Sequence, residues 1–297
     1  MTSPPGPRAA VIVTCHNDSA TLSETIDSVR GQRPEVELVV VDDGSSDPAT
    51  LGLLGQLEEA GVAVIHQMNQ GQAAAAMTGF HATSAPYVMR FDSDDALVPG
   101  AVAELADALD GAQEAVAAWG DVQTFGLTNV RIPSAPALDP WLVTYTNCLP
   151  GSGTLFRRTA LSEGGGWQLP TGFEDWDLWM ALAERGNVGT YVPEVIYRYR
   201  RNTSGRLAGW LPETSRYYEQ LRGRHPSLFA LRAQNRRRSS APLALKIAIT
   251  AVDGMPWLSR LTRIQLSELF TRLLWNGGIR NTAMMAVQAI AIRTGRR

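Results

Sequence analysis

Apolar runs separated by segments of helical periodicity dominate the first third of the chain. The runs are continuous rather than alternating, which is typical of strands buried on both faces. Between them, apolar residues recur every three or four positions, as in amphipathic helices. This alternation predicts a parallel sheet with helices on both faces. The predicted strands cover residues 9–15, 36–41, 62–65 and 87–91, and the predicted helices begin near Leu22, Leu51 and Gln72.

The remainder of the chain is less regular but continues to alternate between helical and extended patterns. Loops rich in Pro and Gly interrupt it, and such loops suit a binding site better than the core of a sheet. Past residue 205, apolar residues again repeat at helical spacing. The pattern predicts helices over 101–109 and 178–186, strands over 115–119, 188–192 and 195–200, and apolar helix stripes at Leu266, Leu269, Phe270, Leu273 and Leu274 and, more weakly, at Met284, Val287 and Ala291.

Polar clusters follow three of the predicted strands, at the edge where parallel strands place their ligands. In the third cluster, Asp92 and Asp94 alternate with Ser93, so an extended backbone directs both carboxylates to one side. Two such carboxylates form a hard-oxygen site for Mn²⁺ or Mg²⁺. The alternative is a solvated acidic turn in which Asp95 caps the following helix. The other two clusters are His16 with Asn17 and Asp42 with Asp43.

Charge divides the chain into two parts. Of its 297 residues, 1–205 carry 11 basic and 25 acidic side chains, whereas 206–297 carry 16 basic and 4 acidic ones. We therefore expect an acidic body, residues 1–205, and a basic, mostly helical region, residues 206–297. The basic region either packs on the body as a helical subdomain or rests on anionic lipid and reaches a lipid-linked acceptor. Nucleic-acid binding is disfavoured, because aromatic residues do not alternate with the basic ones.

Cysteine content and hydropathy further restrict the class of protein. Cys15 and Cys148 are the two cysteines, too few for a disulfide framework and without metal-ligand spacing. No run reaches the ~18 apolar residues of a membrane span, and the first residues lack the pattern of a signal peptide. The sequence thus predicts a cytoplasmic protein, with the inner face of the membrane as a site of peripheral contact.

Together these motifs resemble the family 2 glycosyltransferases, which have the GT-A fold. The resemblance covers residues 9–205 and implies an α/β fold with a mixed, mostly parallel sheet flanked by helices. It also implies an enzyme that uses a nucleotide-diphosphate sugar, with UDP-sugars favoured, and a divalent metal, Mn²⁺ or Mg²⁺. The matching pieces are Val11-Ile12-Val13-Thr14-Cys15-His16-Asn17, Val41-Asp42-Asp43-Gly44-Ser45-Ser46-Asp47, Asn69-Gln70-Gly71 and Phe91-Asp92-Ser93-Asp94-Asp95.

By position, the resemblance implies a nucleotide site at the end of the first three predicted strands. His16 would stack on the base, although a loop histidine with satisfied hydrogen bonds is the alternative. Asp42 is similar to the residue that reads the base or ribose, and its alternative role is an Asx-turn that folds the loop. The nucleotide-binding residues implied in this way are Thr14, His16, Asn17, Asp42, Asn69 and Gly71.

The resemblance also assigns the phosphate side of the site. Asp92 resembles the residue that touches ribose and metal, and Asp94 resembles the direct metal ligand that bridges to the diphosphate. A divalent ion there neutralises charge on the leaving nucleotide. A basic residue that follows the last strand would bind two phosphate oxygens through its guanidinium. Arg200 and Arg201 are both candidates for this role.

A second acidic cluster, Glu174-Asp175, begins a predicted helix. The family carries its general base at the Asp of such a pair, so Asp175 is expected to take the acceptor hydroxyl's proton. Glu174 would orient the acceptor or Asp175, and the alternative is simple helix capping by Asp175. These roles imply a metal-dependent inverting glycosyltransferase of cell-surface polysaccharide, glycolipid or secondary-metabolite biosynthesis. The rival hypotheses are a sugar nucleotidyltransferase and a catalytically silent protein that binds at the membrane surface.

Overall fold

The N-terminal third of the protein is a four-stranded parallel unit in which strands and helices alternate as predicted. The computed structural model describes residues 6–169, 172–201 and 214–275. The strands pair in the order β3-β2-β1-β4, all parallel, so their carboxyl ends share one edge. The elements are β1 (Ala9–Cys15), α1 (Leu22–Arg30), β2 (Glu37–Asp43), α2 (Pro48–Glu59), β3 (Ala63–Gln67), α3 (Gln72–Ala82) and β4 (Tyr87–Asp92).

Local sequence explains where these elements lie and how closely they pack. Every residue of β1 is buried, which accounts for its unbroken apolar run. Pro48 opens α2, and the Asp47 carboxylate caps that helix by accepting from the Thr50 N–H at 2.9 Å. Gly79 of α3 lies against Ile12, where any Cβ would overlap the isoleucine side chain. The absent side chain therefore lets α3 approach the sheet closely.

Beyond β4 the sheet is mixed, because β8 pairs antiparallel with β4 and β6 whereas β6 and β9 are parallel. The whole order is β3-β2-β1-β4-β8-β6-β9-β5 with β7 paired to β6. The prediction of two separate final strands, over 188–192 and 195–200, was wrong, because one strand runs from 188 to 201. Its register with β6 shifts around Asp121, so bulges absorb the irregular stretch that suggested a break. The added elements are β5 (Ala96–Leu97), α4 (Ala101–Gly111), β6 (Ala115–Gly126), β7 (Arg131–Ile132), β8 (Leu155–Arg157), α5 (Arg158–Gly164), α6 (Glu174–Glu184) and β9 (Val188–Arg201).

The C-terminal helices pack against the body of the protein. Tyr218 stacks at 5.8 Å from the buried Trp176 ring and donates to the Thr144 carbonyl at 2.6 Å. Asp177, on α6, accepts from Arg224 and His225 at 2.6 and 2.9 Å. These contacts support the hypothesis of a packed helical subdomain. The helices are α7 (Thr214–Arg224), α8 (Pro226–Ala230), α9 (Arg232–Arg238), α10 (Leu243–Asp253) and α11 (Arg260–Leu274).

The predicted apolar stripe of α11 does not form its buried face. Ile264, Ser267 and Thr271 are buried instead, while Leu269 and Leu274 are 37% and 39% exposed. The helix is thus rotated so that small polar side chains face the body, an outcome that apolar spacing cannot reveal. The weaker stripe at 284–291 and the boundary at residue 205 lie outside the described residues. Within those residues, no helix is long and apolar enough to cross a membrane.

Candidate functional site

A cavity of about 300 Å³ opens at the carboxyl edge of the parallel strands. β1 and β4 pair so that Thr14 lies beside Asp92, and the start of α6 and the end of β9 close the opposite side. Side chains that are far apart in the sequence therefore share one cleft. The predicted site residues that line it are Thr14, His16, Asp92, Asp94, Glu174, Asp175 and Arg200.

The acidic loop after β4 is held by hydrogen bonds from several elements. Asp92 Oδ1 accepts from Gln72 Nε2 and from Arg90 Nη1, the latter at 3.1 Å. The Asp94 carbonyl accepts from Arg200 Nε at 2.9 Å. These bonds leave both carboxyl groups partly exposed on the cavity wall.

Asp95 does not cap α4, so that alternative was wrong. Its side chain is buried, and Oδ1 accepts from the Arg200 backbone N–H at 2.9 Å. Gly100 occupies the N-cap position without any side-chain hydrogen bond. Burial raises the pKa of Asp95 well above its usual value, and the neighbouring charges of Asp92 and Asp94 raise it further. The third carboxyl of the motif therefore anchors β9 to the acidic loop.

Arg90, in the middle of β4, links the two acidic clusters. Its guanidinium lies 3.1 Å from Asp92 Oδ1 and 3.1 Å from Glu174 Oε1, and Nη2 donates to the Gly151 carbonyl at 2.8 Å. Burial alone would lower the pKa of Arg90, but the charges of Asp92 and Glu174 outweigh it and raise the pKa. Burial raises the pKa of Glu174 to about 7, although Arg90 opposes that shift. Glu174 thus pairs with Arg90, whereas the sequence hypothesis had it orienting Asp175 or the acceptor.

Asp175 lies in the first turn of α6, two residues after Phe173, whose backbone is left-handed with φ 60°. Its Oδ2 accepts from Asn147 Nδ2 at 2.9 Å, and Oδ1 accepts from the Trp176 backbone N–H at 2.8 Å. Phe173 occupies the N-cap position and no side chain caps α6, so the alternative of helix capping by Asp175 is wrong, and its carboxylate lies on the cavity wall. The side-chain amide oxygen of Asn147 is buried and has no hydrogen-bond partner among the described residues, so this side chain can accept one more hydrogen bond at the site.

A second cavity of about 200 Å³ adjoins the first and shares part of its wall. The shared residues are Asn147, Gly151, Asp175, Tyr197 and Tyr199. The far side of this cavity is formed by α11, through Glu268, Thr271 and Arg272. Asp175 consequently stands at the boundary between a cavity that contains the acidic loop and one that is closed by the C-terminal helices.

His16 lies at the rim of the first cavity with its ring exposed. Its Nδ1 is 2.9 Å from the Asp43 carbonyl, so Nδ1 carries the hydrogen and Nε2 accepts from Asn17 Nδ2 at 3.1 Å. The alternative of a loop histidine with satisfied hydrogen bonds is therefore what the isolated chain shows. Its exposed ring face is still compatible with stacking on a base.

Five predicted nucleotide-binding residues do not line either cavity: Asn17, Asp42, Asn69, Gly71 and Arg201. Asp42 is buried and accepts from the Ser45 N–H at 3.0 Å and from His66 at 2.9 Å, as its Asx-turn alternative requires. Burial alone would raise the pKa of Asp42, but the bonds from Ser45 and His66 outweigh it and lower the pKa.

Loop hydrogen bonds account for the others. Asn17 accepts from the Ser46 and Asp47 N–H groups at 2.7 and 2.8 Å. Gly71, with φ 90°, donates to Asp43 at 2.8 Å, and Asn69 lies 3.4 Å from the His16 ring. Of the two candidate arginines, Arg200 lines the first cavity and Arg201 does not.

A divalent ion fits the residues of the acidic loop. Among the described residues, no three His, Cys, Asp or Glu side chains form a ready-made metal cluster. Mg²⁺ and similar ions, however, are commonly held by one or two carboxylates together with substrate phosphates and water. Asp92 and Asp94 supply those two carboxylates on one cavity wall. This donor set suits an ion that arrives with a phosphorylated substrate.

Several lining residues were missed by the sequence analysis, notably Arg90, Gln72 and Asn147. Arg90 could have been found, because a lone charged residue inside an apolar strand two positions before Asp92 must have a buried partner. Gln72 directly follows the Asn69-Gln70-Gly71 motif. Asn147 lies in an irregular loop and carries no comparable signal.

Comparison with known proteins gives concordant matches. The family model described as Glycosyl transferase family 2 matches residues 10–165. EpsE of Bacillus subtilis (strain 168) is 27% identical over 67% of this chain and 74% of its own length. An uncharacterized glycosyltransferase of Nostoc sp., alr2836, is 36% identical over 31% of this chain, which is 30% of that protein. The chain spans less than half the length of most of the curated relatives it matches.

Solved structures share the fold. Staphylococcus aureus TarS 1-349 in complex with UDP-GlcNAc superimposes with a TM-score of 0.57 at 15% identity, covering 97% of this chain and 92% of that chain. The same protein in complex with UDP gives a TM-score of 0.54. The mixed sheet with flanking helices and a helical C-terminal region is therefore a GT-A arrangement, as the sequence predicted.

Proposed function

This chain belongs to glycosyl transferase family 2, and from that premise we propose that it moves a sugar from a UDP-type nucleotide donor to an acceptor hydroxyl with inversion. The observation that carries the proposal is the position of Asp175 between two adjoining cavities, one of which contains Asp92 and Asp94. The nucleotide-bound TarS structures support a UDP-linked donor. The donor would occupy the first cavity and the acceptor the second.

On the donor side, Asp94, assisted by Asp92, would hold Mn²⁺ or Mg²⁺. When bound, such an ion neutralises negative charge on the leaving diphosphate. Gln72 and Arg90 fix the Asp92 carboxylate, so the acidic loop needs little rearrangement when the donor enters. Arg200 adds a guanidinium to the same wall, where it also contacts Glu24. A diphosphate would compete with Glu24 for this cation.

On the acceptor side, Asp175 would accept the proton of the attacking hydroxyl. Asn147 orients the carboxylate through Oδ2. Attack from the second cavity would approach the anomeric carbon on the face opposite the nucleotide, and a single displacement would then invert that carbon. Relatives named as a poly-β-1,6-N-acetyl-D-glucosamine synthase and an undecaprenyl-phosphate sugar transferase support a role in cell-surface glycan or glycolipid synthesis.

The test measures UDP release and product formation from a panel of UDP-sugars with Mn²⁺, using Asp175→Asn and Asp94→Asn. Removing the base should lower kcat by about 10²–10⁴-fold while donor binding is retained. Removing the metal ligand should weaken the Mn²⁺ dependence and lower kcat by roughly 10²-fold or more. Asp107→Asn is the matched control, because that side chain is 70% exposed on α4.

Two results would refute the proposal. Full activity in both site variants would remove Asp175 and Asp94 from the reaction. A product whose anomeric configuration matches the donor's, read from its proton NMR coupling constant, would contradict single displacement.

A further inference from the structure

A third cavity, of about 300 Å³, lies within the C-terminal helical region and is lined by four arginines. We call it the arginine cavity. Arg222 comes from α7, Arg232 from α9, and Arg260 and Arg263 from α11. Its remaining wall is provided by Tyr145, Tyr218, Phe229, Asp253, Ile264 and Ser267.

The positive charge of this cavity is only partly compensated by the described residues. Arg260 pairs with Glu219, and Arg232 lies 3.8 Å from the Asp253 carboxylate. Arg263 donates to the Asp253 backbone carbonyl at 3.3 Å, and no carboxylate in the described part of the chain pairs with it or with Arg222. Within residues 6–169, 172–201 and 214–275, two of the four guanidinium charges therefore have no carboxylate counter-ion.

A buried donor also lacks its partner at this site. Arg263 Nε is buried without a hydrogen bond among the described residues. Buried N–H groups are rarely left unsatisfied, because their desolvation is not repaid. A ligand with several acceptor oxygens would provide the missing partner. Phosphate is the anion best matched to guanidinium groups, since its oxygens accept pairs of parallel N–H bonds.

The arginine cavity and the second cavity lie along the same helix. Ser267 of α11 lines the former, and Thr271 lines the latter. These two buried residues are one turn apart, a rise of about 6 Å. A single ligand can therefore place a hydroxyl in the second cavity near Asp175 and an anionic group among the arginines.

We propose that the arginine cavity binds a phosphate group of the acceptor, so that the acceptor is a phosphate-bearing alcohol. The assignment of the second cavity to the acceptor rests on the proposed function, whereas the phosphate site itself rests on the four arginines. The phosphate belongs either to a lipid headgroup or to a soluble phosphate ester, and the two sources share the same recognition chemistry.

The experiment uses the full chain with two probes. Calorimetric titration with sn-glycerol 3-phosphate reports a soluble ester, and sedimentation with phosphatidylcholine vesicles, with or without phosphatidic acid, reports a headgroup. The test variant is Arg222→Gln combined with Arg263→Gln. The matched control is Arg237→Gln, an exposed arginine of α9 that does not line the cavity. UDP titration of each protein reports the donor site separately.

We expect the unaltered chain to bind at least one probe. Each lost arginine should weaken binding by up to about tenfold, so the double variant should bind that probe up to about 10²-fold more weakly. The control should bind like the unaltered chain. Loss confined to glycerol 3-phosphate identifies a soluble ester, and loss confined to phosphatidic acid vesicles identifies a lipid headgroup. Equal binding by the double variant and the control, or no binding of either probe by the unaltered chain, overturns the proposal. A chain that binds a phosphate probe but no UDP keeps this site and refutes the proposed donor instead.

Discussion

Replacing Arg90 by Met tests whether the buried ion pairs hold the two acidic clusters together. The Arg90 side chain is 4% exposed and lies 3.1 Å from both Asp92 and Glu174. With an effective dielectric constant of about 20, each contact is worth roughly 5 kcal/mol before desolvation is subtracted. Glu174 is only 5% exposed, so its charge cannot be hydrated after the substitution. Truncation of one partner of such a pair costs about 3–5 kcal/mol.

The pKa of Glu174 gives this loss a defined pH dependence. Burial raises that pKa to about 7 even with Arg90 present. Without Arg90 the carboxyl group takes up a proton more readily, which relieves the unpaired charge in acid. We therefore expect the loss of stability to be larger at about pH 8.5 than at about pH 6.

Urea unfolding followed by tryptophan fluorescence provides the measurement, with Arg8→Met as the control. Arg8 forms exposed pairs with Asp107 and Asp110, so its loss should cost less than about 1 kcal/mol. Adding Glu174→Gln to Arg90→Met should recover about 2 kcal/mol or more, because the more deeply buried of the two unpaired carboxylates is removed. A loss below about 1 kcal/mol in Arg90→Met, or a loss that grows toward acid, refutes the reasoning.

Three further predictions concern the orientation of the site and the attachment of the C-terminal helices. Asn147→Ala removes the donor to Asp175 Oδ2 and should lower kcat about tenfold with little change in UDP affinity. Gly151→Ala places a Cβ only 2.3 Å from Asp175 Oδ2, which must then move, so kcat should fall about 10²-fold. Burial alone lowers the pKa of His225, but its bonds to Asp177 and Glu184 outweigh this and raise it above 6.5. His225 therefore stabilises the fold fully below pH 6.5, and that contribution is lost as pH rises through the raised pKa.

Each of these has a matched control. Asn129→Ala alters an exposed asparagine whose side chain accepts from Gln123, away from both cavities, and should keep kcat. Gly52→Ala, in α2 with open space around it, should also leave kcat unchanged. His225→Asn should flatten the pH dependence of the urea midpoint on the alkaline side, whereas the exposed His81→Asn should not. Unchanged kcat in either site variant, or an unchanged pH slope in His225→Asn, contradicts the corresponding interpretation.

The parallel part of the fold was predictable because strands that are buried on both faces consist of continuous apolar runs, which are visible in the sequence. β1 and α3 lie at the predicted positions. The later strands were less predictable, since bulges let β9 continue through a stretch whose pattern is broken. The orientation of α11 was not predictable from apolar spacing, because its buried face is made by Ser267 and Thr271.

The site was predictable where chemistry and topology agree. Asp94 and Asp175 are some eighty positions apart, yet both line one cavity, whose wall includes the loop after β4 and the first turn of α6. Asp42 shows the limit of a positional argument, since Ser45 and His66 take its carboxylate oxygens inside the loop. The contact between Asn147 and Asp175 could not be predicted, because nothing in a loop sequence specifies which side chain will contact Asp175.

The partition of the cleft at Asp175 has a consequence for how specificity could change. The segment that matches the family ends at residue 165, whereas one wall of the second cavity is supplied by Glu268, Thr271 and Arg272. Under the proposed function, substitutions on that helix would retarget the enzyme toward new alcohols without disturbing recognition of the nucleotide. Chimeras that exchange α11 between relatives are thus a direct route to altered substrate repertoires.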